Sequence, residues 1–155
     1  MSATLISDTT THGIRVGAAG FYLPDESTPG NAEYVFGYKV VIVNDSDVSV
    51  TLHTRHWDII DAKGNRRQVD GDGVIGKMPH LSPGEAFRYH SFAVLPTTWG
   101  TMEGHYTMTT SLAEDITVEI GRFYLTDQSA QRTQPCADDA AFTQDSDNDN
   151  PVGLA

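Results

Sequence analysis

The feature that most constrains this chain is the short period of its apolar residues. Tyr34, Phe36, Tyr38, Val40 and Ile42 fall on one face at period two, and comparable segments recur along the sequence between clusters of turn formers. No stretch sustains the 3.6-residue period of an amphipathic helix. The segments His12–Leu23, Glu33–Asn44, Val48–Asp61, Arg66–Asp70, Glu85–Leu95, Thr101–Leu112 and Ile116–Thr126 read as strands. Asn44-Asp45-Ser46-Asp47 and Ala62-Lys63-Gly64-Asn65 read as turns, and Gly71–Gly84 as a long connection. About seven short strands in this pattern predict an all-β sandwich.

With 155 residues, 39% of them hydrophobic, the chain has enough apolar material for one core without disulfide staples. Three units are expected: a flexible leader at 1–11, the sandwich at 12–126, and an acidic, disordered tail at 127–155. The net charge is −11, from 10 basic and 21 acidic residues; the tail alone contributes −5. Such a balance repels a phosphate backbone, so no nucleic-acid partner is expected. No apolar run approaches the length of a membrane helix, so no membrane insertion is expected. Residues 1–11 carry no positive charge and no long apolar run, which argues against a secretory signal. Cys136 is the single cysteine: it excludes an internal disulfide framework and a cysteine-based zinc site, and points to a reducing, cytoplasmic setting. As an exposed thiol it would crosslink two copies on oxidation, giving a homodimer.

Inside the sandwich class, Gly104-x-Tyr106-x-Met108 has the layout of a tyrosine corner, with the Tyr106 hydroxyl tied to backbone and Met108 pointing inward. Trp57 is then the core tryptophan of the third strand. Val50 and Leu52 share the parity of His56, so an inward Trp57 requires a bulge between them.

Five ordered blocks, Tyr34-Val35-Phe36-Gly37-Tyr38, Arg55-His56-Trp57, Gly71-Asp72-Gly73-Val74-Ile75-Gly76, Leu81-Ser82-Pro83-Gly84-Glu85 and Gly100-Thr101-Met102-Glu103-Gly104-His105-Tyr106, resemble the ApaG family. The resemblance covers about His12–Thr126 and implies a fibronectin type III-like β-sandwich. It also implies a link to cobalt and magnesium tolerance, and in eukaryotic relatives a protein-binding role. No catalytic residues are established for the family, so none carry over.

Gly71-x-Gly73-x-x-Gly76 spells a dinucleotide fingerprint but lacks the helix that would receive a pyrophosphate. Its glycines read as a tight loop between strands. The alternative is an anion-binding loop of Gly71, Gly73, Gly76 and Lys77 backbone amides, with Lys77 and Arg67 supplying charge. By strand alternation His56, Asp58, Glu103 and His105 share one outer face, where imidazole and carboxylate suit a divalent cation; the other reading is ordinary cross-strand pairing. Asp145-x-Asp147-x-Asp149 opens like an EF-hand loop but has neither the central glycine nor the closing glutamate. Asn44-Asp45-Ser46 fits a glycosylation sequon, which carries no weight without a signal peptide. No nucleophile elbow or triad is present. The expectation is a non-enzymatic module that binds a protein partner through exposed strands and the Gly71–Gly84 loop, with Tyr22, Tyr34, Phe92 and Trp99 as aromatics that would mark the patch. A small-ligand role, for a divalent metal or a pyrophosphate-bearing nucleotide, is the competing expectation.

Overall fold

A computed structural model describes residues 6–127. Among the described residues nine strands build two antiparallel sheets packed face to face. One sheet holds β1 (Ser7–Thr11), β2 (Ile14–Tyr22), β3 (Tyr34–Asn44) and β7 (Ala86–Leu95) in the order β1-β2-β3-β7. The other holds β4 (Val50–Asp61), β5 (Arg66–Asp72), β8 (Gly100–Thr110) and β9 (Asp115–Leu125) in the order β5-β4-β8-β9, with the two-residue β6 (His80–Leu81) paired to the start of β4. The all-β sandwich expected from the alternation is the fold.

Residues 7–11 correct the leader expectation: they form β1, in register with β2 from Ser7↔Ala18 to Thr11↔Ile14. The strand has no apolar alternation to betray it. Its inward side chains are hydroxyls: Thr11 Oγ1 accepts from the Glu119 amide of β9, and Thr9 Oγ1 lies where a Cβ on Gly121 would sit. His12 and Gly13, both at positive φ, make the two-residue turn into β2. The tail expectation, apart from Asp127, falls outside the described residues, as do Cys136 and Asp145-x-Asp147-x-Asp149.

The core is the inward parity of both sheets: Ile14, Val16, Phe36, Val40 and Ile42 meet Trp57, Ile59, Met102, Met108, Val118 and Phe123. Tyr38 and Trp57 contact edge to face at 5.3 Å, and Trp57 meets Phe123 at 5.9 Å, joining the sheets through rings. The bulge that an inward Trp57 demands is present. The β4–β8 register slips between Leu52 and Thr54, so Val50, Leu52, Trp57 and Ile59 all reach the core.

Tyr106 and Met108 point inward as expected, but the tyrosine-corner bond does not form. The Tyr106 hydroxyl instead meets the Tyr89 hydroxyl of the opposite sheet at 2.5 Å, so β8 is tied to β7 through two side chains rather than to nearby backbone. Asn44 is fully buried: its amide donates to the carbonyls of Val48 and Leu81, and its oxygen accepts from Ser46. The sequon is therefore a structural staple of the β3–β4 turn. Among the described residues no helix is long and apolar enough to cross a membrane.

Candidate functional site

Strand alternation on β4 and β8 places His56, Asp58, Glu103 and His105 on one outer face, in two cross-strand pairs, His56↔His105 and Asp58↔Glu103. The imidazole rings stack at 5.0 Å with 21° between planes. Each row extends to the neighbouring strands. His56 Nδ1 meets Asp70 of β5 at 2.6 Å and its Nε2 lies 3.4 Å from Asp58. Asp58 accepts from Gln68, and Glu103 from Arg122 of β9.

The Asp70 hydrogen bond and the nearby carboxylates hold His56 above the usual imidazole range, against the opposing pull of burial. The hydrogen bond from Gln68 holds Asp58 below the usual carboxylate range, with the His56 charge adding to it. Both ring nitrogens of His56 thus face carboxylates, an arrangement that fits a proton. Neutral, His56 would donate Nδ1–H to Asp70 and keep its Nε2 lone pair toward Asp58; protonated, it would donate to both carboxylates. Among the described residues no three His, Cys, Asp or Glu side chains are grouped to hold a metal ion.

The glycine-rich segment is a hairpin. Gly71 belongs to β5, where its lack of a side chain lets the Arg55 guanidinium lie across it and donate to the carbonyls of Asp72 and Gly73. Val74 and Lys77 bond each other through both amides, and Ile75 and Gly76, at φ 42° and 80°, form the turn between them. Gly73, at φ 64°, packs so tightly against the Lys77 carbonyl that a Cβ would clash, and its amide donates to His53. The amides of Gly73, Val74 and Lys77 are therefore used within the fold. Arg67 reaches the Val94 carbonyl at 3.4 Å instead of turning toward this loop.

A second surface was not singled out in the sequence. On the β1-β2-β3-β7 sheet the residues between the core positions point outward in rows set by the register: Phe21, Gly37 and Phe92; Ala19, Lys39 and His90; Gly17, Val41 and Arg88; Arg15, Val43 and Ala86. Val35 pairs with Val94, which is 37% exposed. Phe21 lies over Gly37, the position with room for its ring, and Lys39 Nζ stands 5.5 Å from that ring's centre. Asp8, paired to Arg15, is the one carboxylate among the outward residues of these four strands. The surface is apolar and cationic on an acidic protein. Its signal was the unbroken run Val40-Val41-Ile42-Val43, apolar on both parities where a half-exposed strand should alternate. Of the four aromatics expected to mark a patch, Phe92 lies here, Tyr22 and Tyr34 pack on the core, and Trp99, 42% exposed, stacks on Tyr124 elsewhere.

Comparison with known proteins places the chain. The family model described as the ApaG domain matches residues 24–110. Protein ApaG of Allorhizobium ampelinum is 47% identical over 115 residues, covering 74% of this chain and 88% of the relative. Protein ApaG of Rhodopseudomonas palustris is 42% identical over 123 residues, covering 79% and 95%. A crystal structure named for the ApaA protein of Bordetella pertussis superposes with a TM-score of 0.72 at 34% identity, covering 83% of this chain and 99% of that one. With the five sequence blocks set on this sandwich, the chain belongs to the ApaG family.

Proposed function

We propose that this protein is a non-enzymatic cytoplasmic binding module that takes a protein partner on the outward face of its β1-β2-β3-β7 sheet. One observation carries the reading: that face combines half-exposed Phe21, Val41, Val43, Phe92 and Val94 with Arg15, Lys39, Arg88 and His90, and with a single paired carboxylate. Apolar side chains left on a sheet face are normally covered by another surface, and the local excess of basic side chains, Arg15, Lys39 and Arg88 against Asp8, favours an acidic one. β7 ends its sheet, so among the described residues the edge of a ten-residue strand adjoins the same face and offers backbone pairing to an extended partner. The opposite outer face carries ion pairs between its own strands, His56 with Asp70 and Glu103 with Arg122. A part in cobalt and magnesium tolerance, which the family resemblance implies, would run through that partner.

The test is capture from a native cytoplasmic extract with three full-length baits. The wild type and a Thr117→Glu bait, altered on the far sheet, should retain the same protein; Val41→Glu should lose it. Equal retention by all three would remove the face from consideration.

A further inference from the structure

The two sheets meet differently on their two sides. On one side β1 is tied to β9, the Thr11 hydroxyl accepting from the Glu119 amide. On the other, β5 and β7 end their sheets and face each other across the sandwich, linked by a long contact of 3.4 Å from Arg67 Nη2 to the Val94 carbonyl. Val35 directs its amide to the Ser27 hydroxyl and its carbonyl to the Leu23 amide, both away from β7. Its partner Val94 therefore turns its own amide and carbonyl off the sheet edge, and alternation gives Phe92 and His90 the same direction. Inward parity on β5 belongs to Arg67, Val69 and Gly71, and the guanidinium of Arg55, an inward position of β4, lies across Gly71. The Arg55 charge acts on the buried hydroxyls of Tyr38, Tyr89 and Tyr106, so it stands at the mouth of the space between the sheets. Two guanidinium groups thus line this opening, four residues apart along β5, a rise of about 13 Å. Their hydrogen-bond partners among the described residues are backbone carbonyls, those of Asp72 and Gly73 for Arg55 and that of Val94 for Arg67. The β5 carboxylates, Asp70 and Asp72, belong to the opposite parity.

We infer that the opening between β5 and β7 receives an extended acidic segment of a partner protein, paired to the outer edge of β7, with two carboxylates four residues apart directed to Arg55 and Arg67. Each feature selects part of this occupant. The edge backbone selects an extended chain. Alternation sends every second side chain of an added strand into the opening, so carboxylates at i and i+4 share the parity and the spacing of the two guanidinium groups. Packed sheets stand about 10 Å apart, a gap that an arginine and a carboxylate side chain span together. At Arg67 above all, such a pair replaces a long contact to a neutral carbonyl with a charge-assisted one. The other parity of the segment continues the side of the sheet that carries Phe92 and Val94, which favours apolar residues there. A second copy of β7 does not fit, because its inward residues are Phe87, Tyr89, Ser91, Ala93 and Leu95, with no carboxylate among them. The inference deepens the reading above, on which it rests for the existence of a protein partner, by giving the sequence pattern of the segment bound.

The probe is a blocked nonapeptide with glutamate at its third and seventh positions, threonine at the other odd positions and valine at the even ones. It is titrated to millimolar concentration into the isotope-labelled full-length protein. The amides of His90, Phe92 and Val94 and the Nε–H groups of Arg55 and Arg67 should shift together. A peptide with glutamine in place of both glutamates should bind about tenfold more weakly. Arg67→Gln, a change at an exposed side chain, should cut that factor to about threefold. Equal affinity for the two peptides, or no shift with either, overturns the inference. So do shifts at Ala19 and Val41 with the β7 edge unmoved. Inorganic pyrophosphate moving the arginine signals at lower concentration than the peptide also overturns it, since the opening then takes a free anion. The capture experiment with Val41→Glu reads the outward face and neither arginine of this opening, so the two can fail separately.

Discussion

At the residue scale the structure is decided by a few polar groups that found unexpected partners. Tyr89 and Tyr106 are both buried, and their hydroxyls satisfy each other across the sandwich. Burial raises both above the usual phenol range, and the Arg55 charge nearby only partly offsets it. Burial likewise pushes Tyr38 up to about 12. Tyr106→Phe should therefore cost about 1–3 kcal/mol, the penalty of leaving the Tyr89 hydroxyl unpaired. The double change Tyr89→Phe with Tyr106→Phe should recover part of that loss, giving a coupling term in urea denaturation. Strictly additive losses would mean that the two hydroxyls are not partners. The sequence showed that Tyr106 is inward but not where its hydroxyl goes, because the partner lies seventeen residues away on another strand. His56 gives a second test. Its folded pKa is raised, so the stability it contributes is fully present below the unfolded value of about 6.5 and is lost as pH rises through the folded value. Ring resonances of His56 followed by NMR should titrate higher in the wild type than in Asp70→Asn; coincident curves would contradict the ion pair.

Elements were legible where burial imposes alternation and illegible where it does not. The strands β3, β4, β7, β8 and β9 were readable within a few residues because one parity is apolar, and the bulge in β4 was demanded by the clash of parities between Leu52 and Trp57. β1 escaped because its inward side chains are Ser and Thr, which pack against β9 through hydroxyls. β6 escaped because two residues carry no period. The glycine-rich segment matched a nucleotide motif in letters, while its physical content is a hairpin turn. Gly73→Ala should lower stability by at least about 1 kcal/mol, since it combines positive φ with a clash against the Lys77 carbonyl. Gly76→Ala, at positive φ but in open space, should cost less. Thermal denaturation of the two variants checks the order, and the reverse order would show that the turn is not what constrains Gly73.

For the whole molecule, the two outer faces have opposite chemistry. The β5-β4-β8-β9 face pairs His56, Asp58, Asp70, Glu103 and Arg122 among themselves, whereas the β1-β2-β3-β7 face presents apolar side chains among basic ones, with Asp8 as its carboxylate. Pattern reading drew attention to the first because imidazole and carboxylate stand out as letters. The second emerges only when register assembles Phe21, Val41, Phe92 and Arg88 from three distant segments. The most direct measurement is an amide shift map of the isotope-labelled full-length protein titrated with the partner that wild-type bait captures. Shifts concentrated at Ala19, Lys39, Val41, His90 and Phe92 are the expected result. Shifts concentrated at Thr54, His56, His105 and Thr107, or along Gly71–Lys77, would contradict the assignment of the binding face.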